Sequence, residues 1–211
     1  IKRPILANAF GGGAAVVPKG NLVMIASALS GEGKTHTCIN LALSIAMEKE
    51  RTVLLVDGDV AKPTISRVFG VEEHLGLLDV LEGEAAGLDA ALVRTDIPRL
   101  RLLPAGRPRA SATELLNSDR MGALCDELSA RYPDRVVIFD SSPLLTTSES
   151  LAVAGSVGQV VLVVAAGITP RRAVRDALDQ LDPEQAVNVV LNKDRRGGGG
   201  GYYGYYGSYG Q

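Results

Sequence analysis

Ser27-Ala-Leu-Ser-Gly-Glu-Gly-Lys-Thr35 follows the apolar run Leu22-Val-Met-Ile-Ala26 and opens an amphipathic stretch from Thr35 to Lys49. A glycine-rich turn between a buried strand and a helix is the setting in which main-chain N–H groups converge on a phosphate. Gly31 and Gly33 permit the tight geometry that turns successive amides inward. Lys34 supplies positive charge to β- and γ-phosphates, and the Thr35 hydroxyl can ligate Mg²⁺. The first glycine of the usual GxxxxGK[ST] pattern is replaced by Ala28, but strand, GEGKT and helix together still specify a P-loop. Candidate nucleotide-binding residues are Ser30, Gly31, Glu32, Gly33, Lys34, Thr35 and His36.

Two further strands end in carboxylates. Thr52-Val-Leu-Leu-Val-Asp-Gly-Asp-Val-Ala-Lys-Pro63 carries Asp57 and Asp59, and Val136-Val-Ile-Phe-Asp140 matches a Walker B strand. In an open α/β sheet the ligand crevice lies at the carboxyl ends of the strands, which places these acids beside the phosphates. Thr35, Asp59 and Asp140 are the candidate metal ligands, in part through water, because Mg²⁺ keeps much of its hydration shell. A polar turn or a helix cap is the bland alternative for Asp57-Gly-Asp59. Phosphoryl transfer needs positioning, a metal and charge neutralisation more than covalent help. Lys34, Asp57 and Asp59 are therefore the candidate catalytic residues. Either aspartate can accept a phenolic proton, with Asp57 preferred.

The rest of the chain fits around this edge. Strands are expected at Leu22–Ala26, Thr52–Val56, Leu100–Leu103, Arg135–Phe139, Val160–Ala165 and Val187–Leu191, most of them continuous in Val, Leu and Ile. Such runs suit strands buried on both faces of a parallel sheet. Helices are expected at Thr35–Lys49, Thr113–Arg131 and Pro170–Leu181, with a short one at Leu75–Leu81. Cys38, Leu41, Ala42, Ile45 and Ala46 form the apolar stripe of the first. Alternating β and α elements give the fold class: α/β, a doubly wound, mostly parallel sheet flanked by helices. Asn192, after the last strand, is a candidate adenine contact or an ordinary polar strand end. The uncharged run from Ser150 to Pro170 is long enough to raise a membrane span. Gly155, Ser156, Gly158 and Gln159 break it, so a helix end followed by a buried strand is expected instead.

With 211 residues the chain holds one well-filled domain. A net charge of −2 argues against nucleic acid as a partner. Two isolated cysteines and two isolated histidines give no zinc pattern. A reducing cytosol fits, and no secretory signal is legible. A boundary is expected between a domain at residues 1–196 and a flexible tail at 197–211. That tail, GGGGGYYGYYGSYGQ, holds five of the six tyrosines: Tyr202, Tyr203, Tyr205, Tyr206 and Tyr209. It has no aliphatic residues with which to bury those rings. Phenols beside a nucleotide site suggest an enzyme that phosphorylates its own tail.

These residues together resemble the bacterial tyrosine kinases of the P-loop type, the autokinases of polysaccharide export. The similarity lies in Gly31 to Thr35, in Val56 to Pro63 and in Phe139-Asp-Ser-Ser-Pro143. Leu103-Pro-Ala-Gly106 with Glu114-Leu-Leu116 and the tyrosine cluster extend it over nearly the whole chain. Lys2 to Ala9, Asp140 to Glu149 and the GYYGYY tail are similar to the autokinases of exosortase-linked exopolysaccharide loci. The resemblance implies ATP and Mg²⁺, and tail tyrosines as phosphoacceptors between subunits of a homo-oligomer. It also implies a transmembrane chain-length protein as activator, a cognate tyrosine phosphatase, and a cytoplasmic location at the inner membrane. Ala61 stands where many relatives have a basic residue, and Glu149 where many have Asp. The family's oligomerisation helix would lie mostly before Ile1.

Two other functions share much of this pattern. A ParA- or MinD-like ATPase switch has the same fold but carries an early loop lysine, as in KGGxGK, where this chain has Leu29. A nucleotide-sensing module with an adhesive Tyr/Gly tail would not need the full set Lys34, Thr35, Asp57, Asp59 and Asp140.

Overall fold

A computed structural model describes residues 1–11, 17–132 and 134–194. Both the tail and the boundary expected after residue 196 lie outside the described residues. In chain order the elements begin with α1 (Lys2–Phe10), β1 (Leu22–Ser27), α2 (Lys34–Ala46), β2 (Thr52–Asp57) and α3 (Thr64–Val68). Next come α4 (Leu77–Glu82), α5 (Leu88–Ala91), β3 (Val93–Arg94), β4 (Leu100–Leu103), α6 (Ala112–Leu116) and α7 (Asp119–Arg131). The last are β5 (Arg135–Asp140), α8 (Glu149–Ala154), β6 (Gln159–Ala165), α9 (Arg171–Leu178) and β7 (Ala186–Asn192). The strands form one sheet in the order β3-β4-β2-β5-β1-β6-β7, parallel throughout except for β3 against β4.

Successive residues of each inner strand serve opposite faces. Met24, Val56, Phe139 and Leu162 join a core with Leu77, Met121, Leu124, Leu128 and Ala177, from α4, α7 and α9. Val23, Ile25, Leu55 and Ile138 join a second core with Ile5, Leu41 and Ile45, from α1 and α2. This doubly wound arrangement is the expected one, and it seals β1, β2, β5 and β6 on both faces. At the free edge, β7 departs from the continuous pattern: Val189 and Leu191 are exposed.

Three differences from the sequence expectation have local causes. The helix expected over Thr113–Arg131 is two helices, because Asn117 and Ser118 break it. The Ser118 hydroxyl donates to Leu115 O, and Asp119 begins α7 afresh. Strands β2 and β5 run one residue further than expected, to the carboxylates themselves. The N-terminal Lys2–Phe10 is helical, and Gln159 ties it to the sheet by donating from Nε2 to Ile5 O at 3.1 Å and Gly20 O at 2.5 Å. The uncharged run resolves into α8 and buried β6, as expected. Among the described residues no helix is long and apolar enough to cross a membrane.

Candidate active site

β1 delivers the chain into the loop, and α2 begins at Lys34, so the helix N-terminus opens onto the same space. Gly31 and Gly33 have φ of +78° and +99°, the left-handed region that the sequence required. At Gly33 a Cβ would also come within 2.2 Å of Asn192 Nδ2. Glu32 shows why an acid is tolerated inside an anion-binding loop. Its carboxylate turns away from the loop's mouth and is 3% exposed. It accepts from Leu29 N at 2.6 Å, from Ala165 N at 3.5 Å and from the Thr169 hydroxyl. The side chain is a strut between the loop and the β6–α9 connection. His36 is exposed on the first turn of α2, its ring 3.3 Å from Asn40 Nδ2. Lys34 is 8% exposed. Burial lowers its pKa, against the opposing charges of Asp140, Asp59 and Glu32.

The carboxylates arrive on adjacent strands. Asp57 and Asp140 are register partners at the ends of β2 and β5, both without solvent exposure. Thr35 Oγ1 donates to Asp140 Oδ2 at 2.6 Å. Asp57 Oδ2 accepts from the Ser66 N–H and hydroxyl, each at 2.7 Å. Oδ1 of each aspartate is buried with no hydrogen-bond partner. Burial pushes the Asp140 carboxyl up to about 7 despite the Thr35 bond, with Asp57 and Asp59 adding to the shift. Asp57 is pushed up to about 6 by burial, against the Ser66 hydrogen bonds. Asp59 is partly exposed at the lip; burial raises it, while Lys62 N–H, Lys34 and Lys62 hold it down.

Two adjacent buried carboxylate oxygens without partners are costly in an apo fold. A hard cation bound by Asp140, directly or through its water, would satisfy that oxygen, so the donor set fits Mg²⁺ and leaves the Asp57 oxygen free to accept a proton. Among the described residues no group of three or more His, Cys, Asp or Glu forms a ready-made metal cage. Mg²⁺ at phosphate sites needs none, since phosphate oxygens and water complete its shell.

The expected residues thus converge, with one refinement. Asn192 does lie over the loop, but its amide donates to Glu32 O at 2.8 Å and so holds protein backbone. Several contributors were not legible. Ser66 clamps Asp57 from nine residues away, and its hydroxyl also accepts from Ala105 N at 3.1 Å. Glu149 stands out in the sequence only by resemblance; its charge reaches Asp59, and Thr113 Oγ1 fixes it by donating at 2.7 Å, a contact no spacing announced. Lys193 Nζ donates to Gly31 O at 2.5 Å. The Thr169–Glu32 contact spans 137 residues and left no local signal.

Residues 23–157 match the family described as the CobQ/CobB/MinD/ParA nucleotide binding domain. The chain is 34% identical over 159 residues to the tyrosine-protein kinase YwqD of Bacillus subtilis, covering 75% of this chain and 65% of that protein. It is also 34% identical to the succinoglycan biosynthesis transport protein ExoP of Rhizobium meliloti, over 82% of this chain but 22% of ExoP. The crystal structure of the VpsO kinase domain superposes with a TM-score of 0.72 at 33% identity, covering 82% of this chain and 84% of that one. The chain therefore spans about two thirds of one curated relative and about a fifth of the other. It belongs to the CobQ/CobB/MinD/ParA nucleotide-binding domains and, within them, to the kinase domains of the bacterial P-loop tyrosine kinases.

Proposed function

We propose that this chain is a protein-tyrosine autokinase that transfers the ATP γ-phosphate to its own C-terminal tyrosines, between subunits of a homo-oligomer. One observation carries the proposal. The P-loop Lys34 and Thr35 meet two register-paired, buried, incompletely bonded carboxylates on a chain whose last residues hold five phenols. Main-chain amides of Ser30 to His36 cradle the phosphates, and Lys34 neutralises charge on the β- and γ-oxygens. Thr35, Asp140 and Asp59 would hold Mg²⁺, which supplies further neutralisation of the phosphate oxygens. A phenol has an unperturbed pKa of about 10 and arrives protonated. Asp57, pushed up to about 6 by burial and oriented by Ser66, suits the base role near neutral pH. Asp59, flanked by Lys34 and Lys62, suits the metal. Asn192 stands close enough to the loop to serve as the adenine contact as well.

The same proposal covers the setting. The kinase would work in the cytoplasm at the inner membrane, activated by a transmembrane chain-length protein of a polysaccharide export system and reset by a cognate tyrosine phosphatase. Relatives named for succinoglycan transport and tyrosine phosphorylation support it. An ATPase switch is less favoured. Where that class carries its signature lysine, Leu29 packs against the core and gives its N–H to Glu32.

Incubation with Mg-ATP followed by phosphotyrosine blotting tests the reading. Signal is expected from the full chain and lost in Lys34→Met and in a chain ending at Gly201. Signal surviving Lys34→Met would refute the site, and signal surviving truncation would refute the tail.

A further inference from the structure

Lys193 is one of two non-glycine residues with positive φ among the described residues, at φ +58°. A lysine in the left-handed region is strained, and glycine would make the bend at lower cost. Such conformations persist where the surroundings over-determine them. Here they do: Lys193 Nζ donates to Gly31 O at 2.5 Å, and its neighbour Asn192 donates from Nδ2 to Glu32 O at 2.8 Å. Asn192 O in turn accepts from Ala166 N at 2.8 Å, which fixes the end of β7 to the connection that bears Thr169. Two consecutive residues thus grip two consecutive carbonyls on the outer rim of the phosphate loop. Because a trans peptide holds its C=O and N–H on opposite sides, gripping those two carbonyls also fixes the direction of the Glu32 and Gly33 N–H groups.

We infer that Lys193 is a positioning residue for the nucleotide: it clamps the P-loop through the Gly31 carbonyl and makes the root of the tyrosine segment a part of the nucleotide site. The inference rests on the kinase reading only in taking the loop to hold a nucleotide. Its consequence is a linkage. Whatever displaces Lys193 lowers nucleotide affinity, and bound nucleotide resists that displacement to the same degree.

The test uses the full chain, a fluorescent ATP analogue with Mg²⁺, and the variants Lys193→Gly and Lys193→Arg. Lys193→Gly relieves the backbone, so its ligand-free melting temperature should equal or exceed the parent's. Its affinity should still fall by about three- to tenfold, the net worth of one ordinary hydrogen bond, as suits a bond at an exposed position. The KM for ATP should rise by the same factor while kcat stays within about twofold. Lys193→Arg, which keeps a cationic donor, should remain within about twofold of the parent. Parent-like affinity in Lys193→Gly, a fall in Lys193→Arg as large as in Lys193→Gly, or a lowered ligand-free melting temperature in Lys193→Gly would each overturn the inference alone. A parent chain that binds no nucleotide would overturn the kinase reading with it.

Discussion

Among the described residues, two places bury carboxylates completely, and they are built in opposite ways. Asp79, at the start of α4, accepts from Gly76 N at 2.9 Å, Arg107 N at 3.2 Å, Arg107 Nε at 2.8 Å and Arg109 Nη2 at 2.8 Å. Burial alone would raise its pKa, but the Gly76, Arg109 and Arg107 hydrogen bonds hold it below the usual range. Asp57 and Asp140, equally buried, each keep one oxygen without a partner and are pushed up to about 6 and about 7. A satisfied buried charge fastens the fold. An unsatisfied pair on adjacent strands, facing a P-loop lysine, weakens the fold in order to receive a cation and a phosphate.

The widest separation of the two should come from Asp140→Asn. Phosphate transfer is expected to fall at least about 10³-fold, while the ligand-free melting temperature at pH 8 rises by roughly 2–5 °C. Steady-state kinetics and calorimetry read both; a melting temperature below the parent's would erase the contrast. Asp79→Ala should do the reverse. It leaves Arg109 without its buried partner and should cost about 3 kcal/mol in urea unfolding, with transfer per folded molecule within about threefold of the parent.

Changes in pH sharpen the comparison next. Asp57 and Asp140 have folded pKa values above the unfolded value of 3.8, so the stability they contribute is full below about pH 4. It is lost as pH rises through about 6 to 7. Asp79 has the opposite sign: its contribution is present above its unfolded pKa and lost as pH falls toward its lowered folded value. Stabilisation by Mg-nucleotide should therefore be larger at pH 8 than at pH 5.5, and Asp140→Asn should flatten that difference in thermal scans. The smallest effect belongs to Ser66→Ala. Losing one of the two donors to Asp57 Oδ2 should cost about 1 kcal/mol and move the acidic limb of the kcat/KM profile upward, as a pH titration would show.

How much of this was legible follows from range in sequence. The P-loop, its helix and the acids closing β2 and β5 are each local patterns, and their convergence follows from parallel topology alone. Leu22–Ala26 and Val160–Ala165 read as buried because both their faces are covered. β7 misled in part, since an edge strand made of the same residues leaves Val189 and Leu191 exposed. The two-residue β3 is too short to carry a period, and the Asn117-Ser118 break lies inside an otherwise helical pattern. Glu32's partners, Asp57's clamp and the Arg107–Arg109 grip on Asp79 depend on side chains brought together across loops, where no spacing rule reaches. Whether an acid is bonded or left partly bare is likewise decided in three dimensions, and that difference separates the site from the scaffold here.

The most direct test is a phosphopeptide map of the full chain after incubation with Mg-ATP, with ATP consumption followed in the same sample. Phosphate on Tyr202, Tyr203, Tyr205, Tyr206 or Tyr209, absent in Lys34→Met, is the predicted result. ATP consumed with no phosphate on any tyrosine would contradict it and would leave a nucleotide switch in place of a kinase.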